Sequence, residues 1–300
     1  MKKNSNLILL IVLGIIWSTF AIFTKISSEN LLPTFVSFAR LALGGSMLLA
    51  LCLFQRKKIL MAKNFKHYML VGFFNSALPF TLFAIAARFL DSGVVSILDG
   101  TVPMFEVLIS IFILGRLVDK NAVLGVFFGV IGIVITSWGS VTNASMGMKE
   151  ILSVIAILGA TASYAAASLY VNAKCKDIEP ILIATGSVLC ATLLLSPSLF
   201  FTDFSVITPR VALSLLGLGA LCTGIAYIFY FRLLAEEGPR AAVSVVLLIP
   251  VFGTIFGTIF LGELLTINKV IGCLTILISM KFILNLSRKN FFKSKEAPIV

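Results

Sequence analysis

The sequence predicts an all-α integral membrane protein of ten transmembrane helices, arranged as two inverted five-helix repeats. Three observations carry this reading. The chain is 59% hydrophobic and 12% charged over 300 residues, with mean hydropathy +1.08, more apolar than a soluble domain of that length can hide. Runs of about 20 apolar residues, enough to cross a bilayer as a helix, recur along its whole length. The two halves also carry the same landmarks at the same intervals.

The first span covers residues 7–27. Its start, Met1-Lys2-Lys3, imitates a signal peptide, but the apolar run is too long and lacks a small-x-small cleavage site, so it is kept as a span. Pro33 opens the second, 33–54, and a basic hairpin (Arg56, Lys57, Lys58, Lys63, Lys66) separates it from the third, 67–89. The fourth, 92–114, and the fifth, 120–139, complete one set. The second set runs 151–172, 180–201 (opened by Pro180), 211–233, 240–261 and 267–285. The expected organisation is an N-terminal segment 1–6, a first repeat 7–139, a second repeat 151–285 and a basic tail 286–300.

The net charge of +11 would suit a nucleic-acid binder, but its distribution points to a bilayer instead. With the N-terminus cytoplasmic, 18 of the 24 Lys and Arg residues fall on the cytoplasmic side. Lys25, Arg88, Lys149, Arg210 and Lys269 fall outside, and Arg40 lies within a span. This positive-inside bias places both termini in the cytoplasm of a multi-pass protein of the cell (inner) membrane. The tail from Arg288 to Lys295 reads as an anchor near anionic headgroups. The partners expected are a small-molecule substrate and the lipid bilayer, and no nucleic acid. Five cysteines without metal-type spacing read as small apolar residues, so no metal or cofactor is expected.

Pro103 is followed 11 residues later by Leu114-Gly115, and Gly125 comes ten after that; Pro250, Leu261-Gly262 and Gly272 repeat the spacing. Arg88-Phe89-Leu90 answers Arg232-Leu233-Leu234, and Gly14-Ile15-Ile16-Trp17-Ser18 answers Gly159-Ala160-Thr161-Ala162-Ser163. Five spans per copy is an odd number, so the second copy enters the membrane from the opposite side. Inverted repeats place a substrate site near the midplane, between halves that rock.

On these residues the chain resembles the drug/metabolite transporter superfamily, EamA-type. The resemblance is carried over about residues 7–285 by Gly14-x-x-Trp17-Ser18, Pro33 with Arg40, Pro79-Phe80, Pro103, and Leu261-Gly262-Glu263-x-Leu265 followed by Gly272. The first copy departs from the Gly-Glu ending, having Gly115-Arg116, a cation that suits the cytoplasmic side. The resemblance implies a secondary carrier, many of which export amino acids and other small metabolites.

Three charges stand inside apolar spans: Arg40, Asp99 and Glu106. Each costs roughly 2.5–3.5 kcal/mol to insert, so such charges hold a cavity, a substrate or a proton. Arg40 and Asp99 each lie seven residues into an inward-running span, roughly 10 Å deep at the helical rise. If their helices face one another they can pair, as a structural pair or as the two ends of a zwitterion site. Glu106 finds no basic residue at its depth. An unpaired carboxylate in an apolar setting exchanges a proton near neutral pH more readily than one in water, which makes Glu106 the candidate proton-coupling site. The bland alternative is a protonated carboxyl bonded to a neighbouring hydroxyl or carbonyl. The second copy has Val246 and Gly253 at these positions.

Pro79, Pro103 and Pro250 mark helix breaks, each withdrawing a hydrogen bond from the carbonyl four residues back. Trp17, Phe20, Tyr164 and Tyr227, with Asn75, Ser76 and Thr223, fall near mid-depth and suit an aromatic, weakly polar pocket for an amphipathic metabolite. Gly125-x-x-x-Gly129-x-x-Gly132 and Gly253-x-x-x-Gly257 are small-residue faces for packing within one chain or across a homodimer. Two alternatives stay open. A multidrug or cation efflux carrier would use Asp99 and Glu106 but has Arg40 against it. A membrane-embedded enzyme would need chemistry the chain does not advertise: it has one histidine, His67, and no His-Glu-x-x-His or Gly-x-Ser-x-Gly.

Overall fold

The computed structural model describes residues 2–139, 147–238 and 245–290. Arg240 and the end of the basic tail, residues 291–300, lie outside them. Among the described residues nine helices are long and apolar enough to cross a membrane: α1 (Asn6–Ser28), α2 (Pro33–Phe54), α3 (Met61–Ala86), α4 (Ser92–Phe112), α5 (Lys120–Trp138), α6 (Met148–Lys174), α7 (Pro180–Phe201), α8 (Pro209–Glu237) and α10 (Ile267–Leu284). The shorter α9, Val245–Leu261, stands where the remaining span is expected. The described residues contain no β-strand, as a bilayer demands of anything but a closed barrel. The third helix begins at Met61, six residues before the apolar run, because a helix continues through the polar turn holding Lys63, Lys66 and His67 once α7 packs beside it.

Packing repeats the sequence symmetry. Helix α2 lies against α8 as α7 lies against α3; α3 meets α6 as α8 meets α1; α4 meets α6 as α9 meets α1. The self-related pairs α2–α7, α4–α9 and α5–α10 are all in contact. Exchanging the two copies returns these same pairs, as a pseudo-two-fold axis between inverted repeats requires.

Helices gain no hydrophobic drive toward one another in lipid, so close approach has to supply the attraction. The sequence's glycine faces are used for that within the chain. A side chain at Gly125, Gly129 or Gly132 of α5 would run into Ile283, Met104 or Ile276, and one at Gly253 of α9 would run into Ser96 of α4.

Two faces can be told apart, one bearing Lys25 and the other His67. Toward the Lys25 face, the second half of α1 packs on α3, α4 and α9, and the first half of α4 packs on α9. Toward the His67 face, α1 packs on α8 and α9, while the second half of α4 turns to α5, α6 and α10. Among the described residues the two halves also meet at the His67 face, where α3 packs on α7, Lys57 pairs with Glu179 and His67 Nδ1 lies 2.9 Å from the Tyr170 hydroxyl.

Candidate functional site

Arg40 is 9% exposed at the centre of this arrangement. Its Cζ stands 3.7 Å from the centre of the Phe80 ring of α3, a stack on the negative face of the ring. Its Nε donates to Thr223 Oγ1 of α8 at 3.0 Å. The two terminal nitrogens have no hydrogen-bond partner among the described residues. That leaves the edge of the guanidinium that forks a carboxylate free to do so.

Thr223 sits in a π-helical stretch of α8, Gly217–Ile225, and its hydroxyl also donates to the Leu218 carbonyl at 3.0 Å. Helix α3 carries a matching stretch, Phe73–Ala77. There the cause is legible: Pro79 has no N–H for the Asn75 carbonyl, and the Leu78 N–H turns to the Phe73 carbonyl instead. Helix α8 has no proline at this point and reaches the same geometry without that signal. Each stretch is held by the first helix of the other copy. Trp17 Nε1 of α1 donates to the Cys222 carbonyl at 3.2 Å, and Ser163 Oγ of α6 donates to the Phe74 carbonyl at 2.6 Å. Over-wound turns of this kind gather at functional sites because they present backbone and side chains that an α-helix would hide. Asn75 is half-buried within the first stretch, and Ser76 is fully buried beside it.

Helix α4 breaks where Pro103 predicts. It is helical over Ser92–Asp99 and again over Val102–Phe112; between them the Gly100 and Thr101 N–H groups turn to the Ile97 and Leu98 carbonyls. Asp99 is half-buried at this break and has no hydrogen-bond or ion-pair partner among the described residues. Arg40 and Asp99 interact electrostatically but do not form an ion pair.

Tyr164 and Tyr227 interact electrostatically with Arg40 and with one another, and Tyr164 also with Asp99. Tyr164 stacks with Phe83 at 6.0 Å and meets Phe80 edge-on at 6.4 Å. Phe20 meets Phe83 at 5.5 Å. Trp17 lies 5.6 Å from Tyr230, and Tyr230 and Tyr227 both adjoin Phe231. Aromatic walls thus surround the charged pair. Glu106 stands farther along α4 toward the His67 face, half-buried, with the Ser168 hydroxyl of α6 against it. Pro250 follows a short 3₁₀ stretch, Val245–Leu248, at the start of α9 and meets none of these groups by hydrogen bond.

Sequence reasoning missed an ionic network at the Lys25 face. Lys269 Nζ, almost fully buried, donates to Asp91 Oδ2 and to the Leu264 carbonyl, both at 2.7 Å. Lys25 Nζ lies 3.4 Å from Asp91 Oδ1 and 3.1 Å from Glu263 Oε1. Glu263 in turn accepts from the Ser92 and Gly93 N–H groups at 2.6 and 3.1 Å, capping α4. Burial works to raise the pKa of Asp91, but its hydrogen bonds and charge contacts with Lys269 and Lys25 outweigh this and hold it below the ordinary 3.8. The only hint in the sequence was the Gly262-Glu263 ending itself.

The EamA-like transporter family model matches residues 4–138 and 151–285, one match to each repeat. The chain is 26% identical over 266 residues to the uncharacterized transporter YoaV of Bacillus subtilis (strain 168), covering 87% of this chain and 90% of that one. It is 24% identical over 304 residues to YwfM, an uncharacterized transporter of the same organism, covering 99% of both. A solved crystal structure, 16% identical, superposes with a TM-score of 0.66 over 98% of this chain and 99% of that one, a likeness of fold. On the two family matches, the inverted packing and the apolar spans, the chain is a multi-pass integral membrane protein that belongs to the EamA-like transporter family.

Proposed function

We propose that the chain is a secondary carrier, not an enzyme, that exports small amphipathic zwitterions, amino acids first among them, across the cell (inner) membrane by alternating access. The observation that carries the substrate class is the separation of Arg40 from Asp99. Two opposite charges in a low-dielectric setting gain most by closing on each other. Here each keeps its bonding edge unpartnered among the described residues while lying within electrostatic reach of the other. A zwitterion supplies what both lack: a carboxylate for the guanidinium fork and an ammonium for Asp99. The surrounding rings of Trp17, Phe80, Tyr164 and Tyr227 suit an apolar side chain, and Asn75 adds a polar group from the α3 over-wound turn.

In this reading both termini are cytoplasmic, so the Lys25 face is outward. An exporter loads from the cytoplasm, which in this reading is the His67 side. Glu106, between the site and that side, takes and releases the coupling proton, with Ser168 as its hydrogen-bond partner in one state. A cation carrier would leave Arg40 without a role.

Counterflow in proteoliposomes tests the proposal. Vesicles preloaded with pooled amino acids, and separately with lipophilic cations, are assayed for uptake of labelled members, with and without a proton gradient, in wild type and Glu106→Gln. Gradient-stimulated amino-acid flux that Glu106→Gln abolishes, with exchange kept, is expected. Flux of cations alone overturns the zwitterion reading, and normal gradient-driven flux in the variant overturns the coupling role.

A further inference from the structure

Three buried hydroxyls, Ser27 of α1 with Ser92 and Ser96 of α4, have no hydrogen-bond partner among the described residues. All three lie near the Lys25 face, and Ser92 and Ser96 lie at the α4–α9 crossing. There Gly257 and Gly253 leave no room for a side chain, since a Cβ at Gly253 would stand 2.2 Å from Ser96 Oγ. A permanent helix seam has no reason to bury polar groups unsatisfied, because each costs free energy that an alanine would not. A seam that opens has one: its lining must be wettable.

The ionic network lies over this seam and ties all its helices. Lys25 belongs to α1, Asp91 precedes α4, Glu263 follows α9 and Lys269 begins α10. Glu263 is the pivot. It sits at the end of α9, caps the first turn of α4 and meets Lys25 of α1. Helix α4 also carries Asp99 and Glu106, so whatever frees its first turn moves the site.

The other copy builds the same turn around a different side chain. Gly262 and Gly115 both adopt the left-handed conformation, φ 68° and 61°. In both, the next N–H turns back six residues, from Glu263 to the Gly257 carbonyl and from Arg116 to the Ser110 carbonyl. The backbone that aims Glu263 at α4 therefore presents Arg116 on the opposite face. A guanidinium cannot accept a hydrogen bond from backbone N–H. Arg116 is exposed and has no ion pair or side-chain hydrogen bond among the described residues.

We propose that the α1–α4–α9 seam is the outer gate of the transport path, latched by Glu263 through the α4 N-terminus and Lys25, and that Arg116, standing where the other copy has Glu263, denies the inner gate this carboxylate latch, so that the carrier rests closed to the outside. This rests on the alternating-access reading above. The substrate reaches the outside past Ser27, Ser92 and Ser96 only when Glu263 releases α4.

The test is labelling of Ser96→Cys by a membrane-impermeant maleimide applied from the Lys25 face, with the unsubstituted chain, whose five cysteines are all buried, as background. The expected rate is slow, rising about tenfold when Glu263→Gln removes a charge-assisted cap and ion pair. Arg116→Glu, at an exposed position on the far face, should also raise it by supplying the missing inner latch. Local loosening cannot explain that second rise, and a melting curve of each variant checks that both remain folded. Unchanged labelling in either variant overturns the proposal. The assay needs no substrate. Faster labelling in both variants without counterflow of any solute keeps the gate and removes the carrier reading. Counterflow with Ser96→Cys never labelled keeps the carrier and removes this gate.

Discussion

Replacing Arg40 by lysine preserves the charge and removes the geometry, so it isolates what the guanidinium contributes. In the structure one donor, Nε, is committed to Thr223 at 3.0 Å, and the planar group is fixed over Phe80 at 3.7 Å. The unpartnered edge is then pre-set to give a carboxylate two parallel hydrogen bonds. A lysine Nζ is a single point donor that cannot bond Thr223 and fork a carboxylate together. One charge-assisted hydrogen bond is lost from the bound state, about 1.5–3 kcal/mol. At 1.4 kcal/mol per tenfold, KM for a zwitterion should rise roughly 10- to 150-fold. Loss of the stack over Phe80, about 0.5–2 kcal/mol, acts on the empty and loaded carrier alike and should appear in the melting temperature instead. The assay is counterflow over a substrate series that includes a deaminated analogue. Arg40→Lys should weaken both compounds, whereas Asp99→Asn should weaken the zwitterion and leave the deaminated analogue within about threefold, about 0.7 kcal/mol. A folded Arg40→Lys whose KM for the zwitterion stays at the wild-type value would refute the reasoning.

Further outcomes follow from other contacts. The carboxyl of Asp91 is held below its ordinary 3.8 by Lys269 and Lys25, so its hold on the closed face is complete above about pH 4 and fades only as pH falls through the lowered value. Labelling of Ser96→Cys, divided at each pH by that of a fully exposed cysteine to remove the thiol's own ionisation, should therefore be flat between about pH 5 and 8, and a rise in this ratio across that window would show that another group governs the latch. Gly72→Ala places a Cβ 2.4 Å from the Ser187 carbonyl oxygen, backbone that cannot step aside, whereas at Gly159 the nearest atom is a Leu82 methyl at 3.6 Å. The first should lower stability by about 1–3 kcal/mol and the second by less than 0.5 kcal/mol, read as melting temperatures in detergent. Ser163→Ala removes the 2.6 Å bond to the Phe74 carbonyl and should cost about 1–2 kcal/mol; an unchanged melt would mean that the α3 over-wound turn needs no help from α6.

Much of the fold was legible because the bilayer makes it so. A span must be about 20 apolar residues long, and a proline inside one must break the ladder. Thus Pro103 located the gap between Asp99 and Val102, and Pro79 located the over-wound turn at Phe73–Ala77. The matching turn in α8 left no such mark, since Gly217–Ile225 contains no proline. Counting from Pro33 and Ser92 gave Arg40 and Asp99 the same expected depth, and the two come within electrostatic reach. Counting cannot give the rotation of a helix about its axis. That angle turned the guanidinium onto Phe80 and Thr223 and left it without an ion pair to Asp99.

By itself the sequence determined a chain of apolar spans written twice in opposite senses, and which charges fall inside those spans, because length, hydropathy and spacing are properties of one strand of residues. The tertiary structure decided which of them meet. It spent the glycine faces of α5 and α9 within the chain, kept Arg40 from closing on Asp99, and joined Lys25, Asp91, Glu263 and Lys269, up to 244 residues apart, into one network at one face. Those outcomes depend on helix rotation and on which helices are neighbours, and both are settled only when every helix is packed.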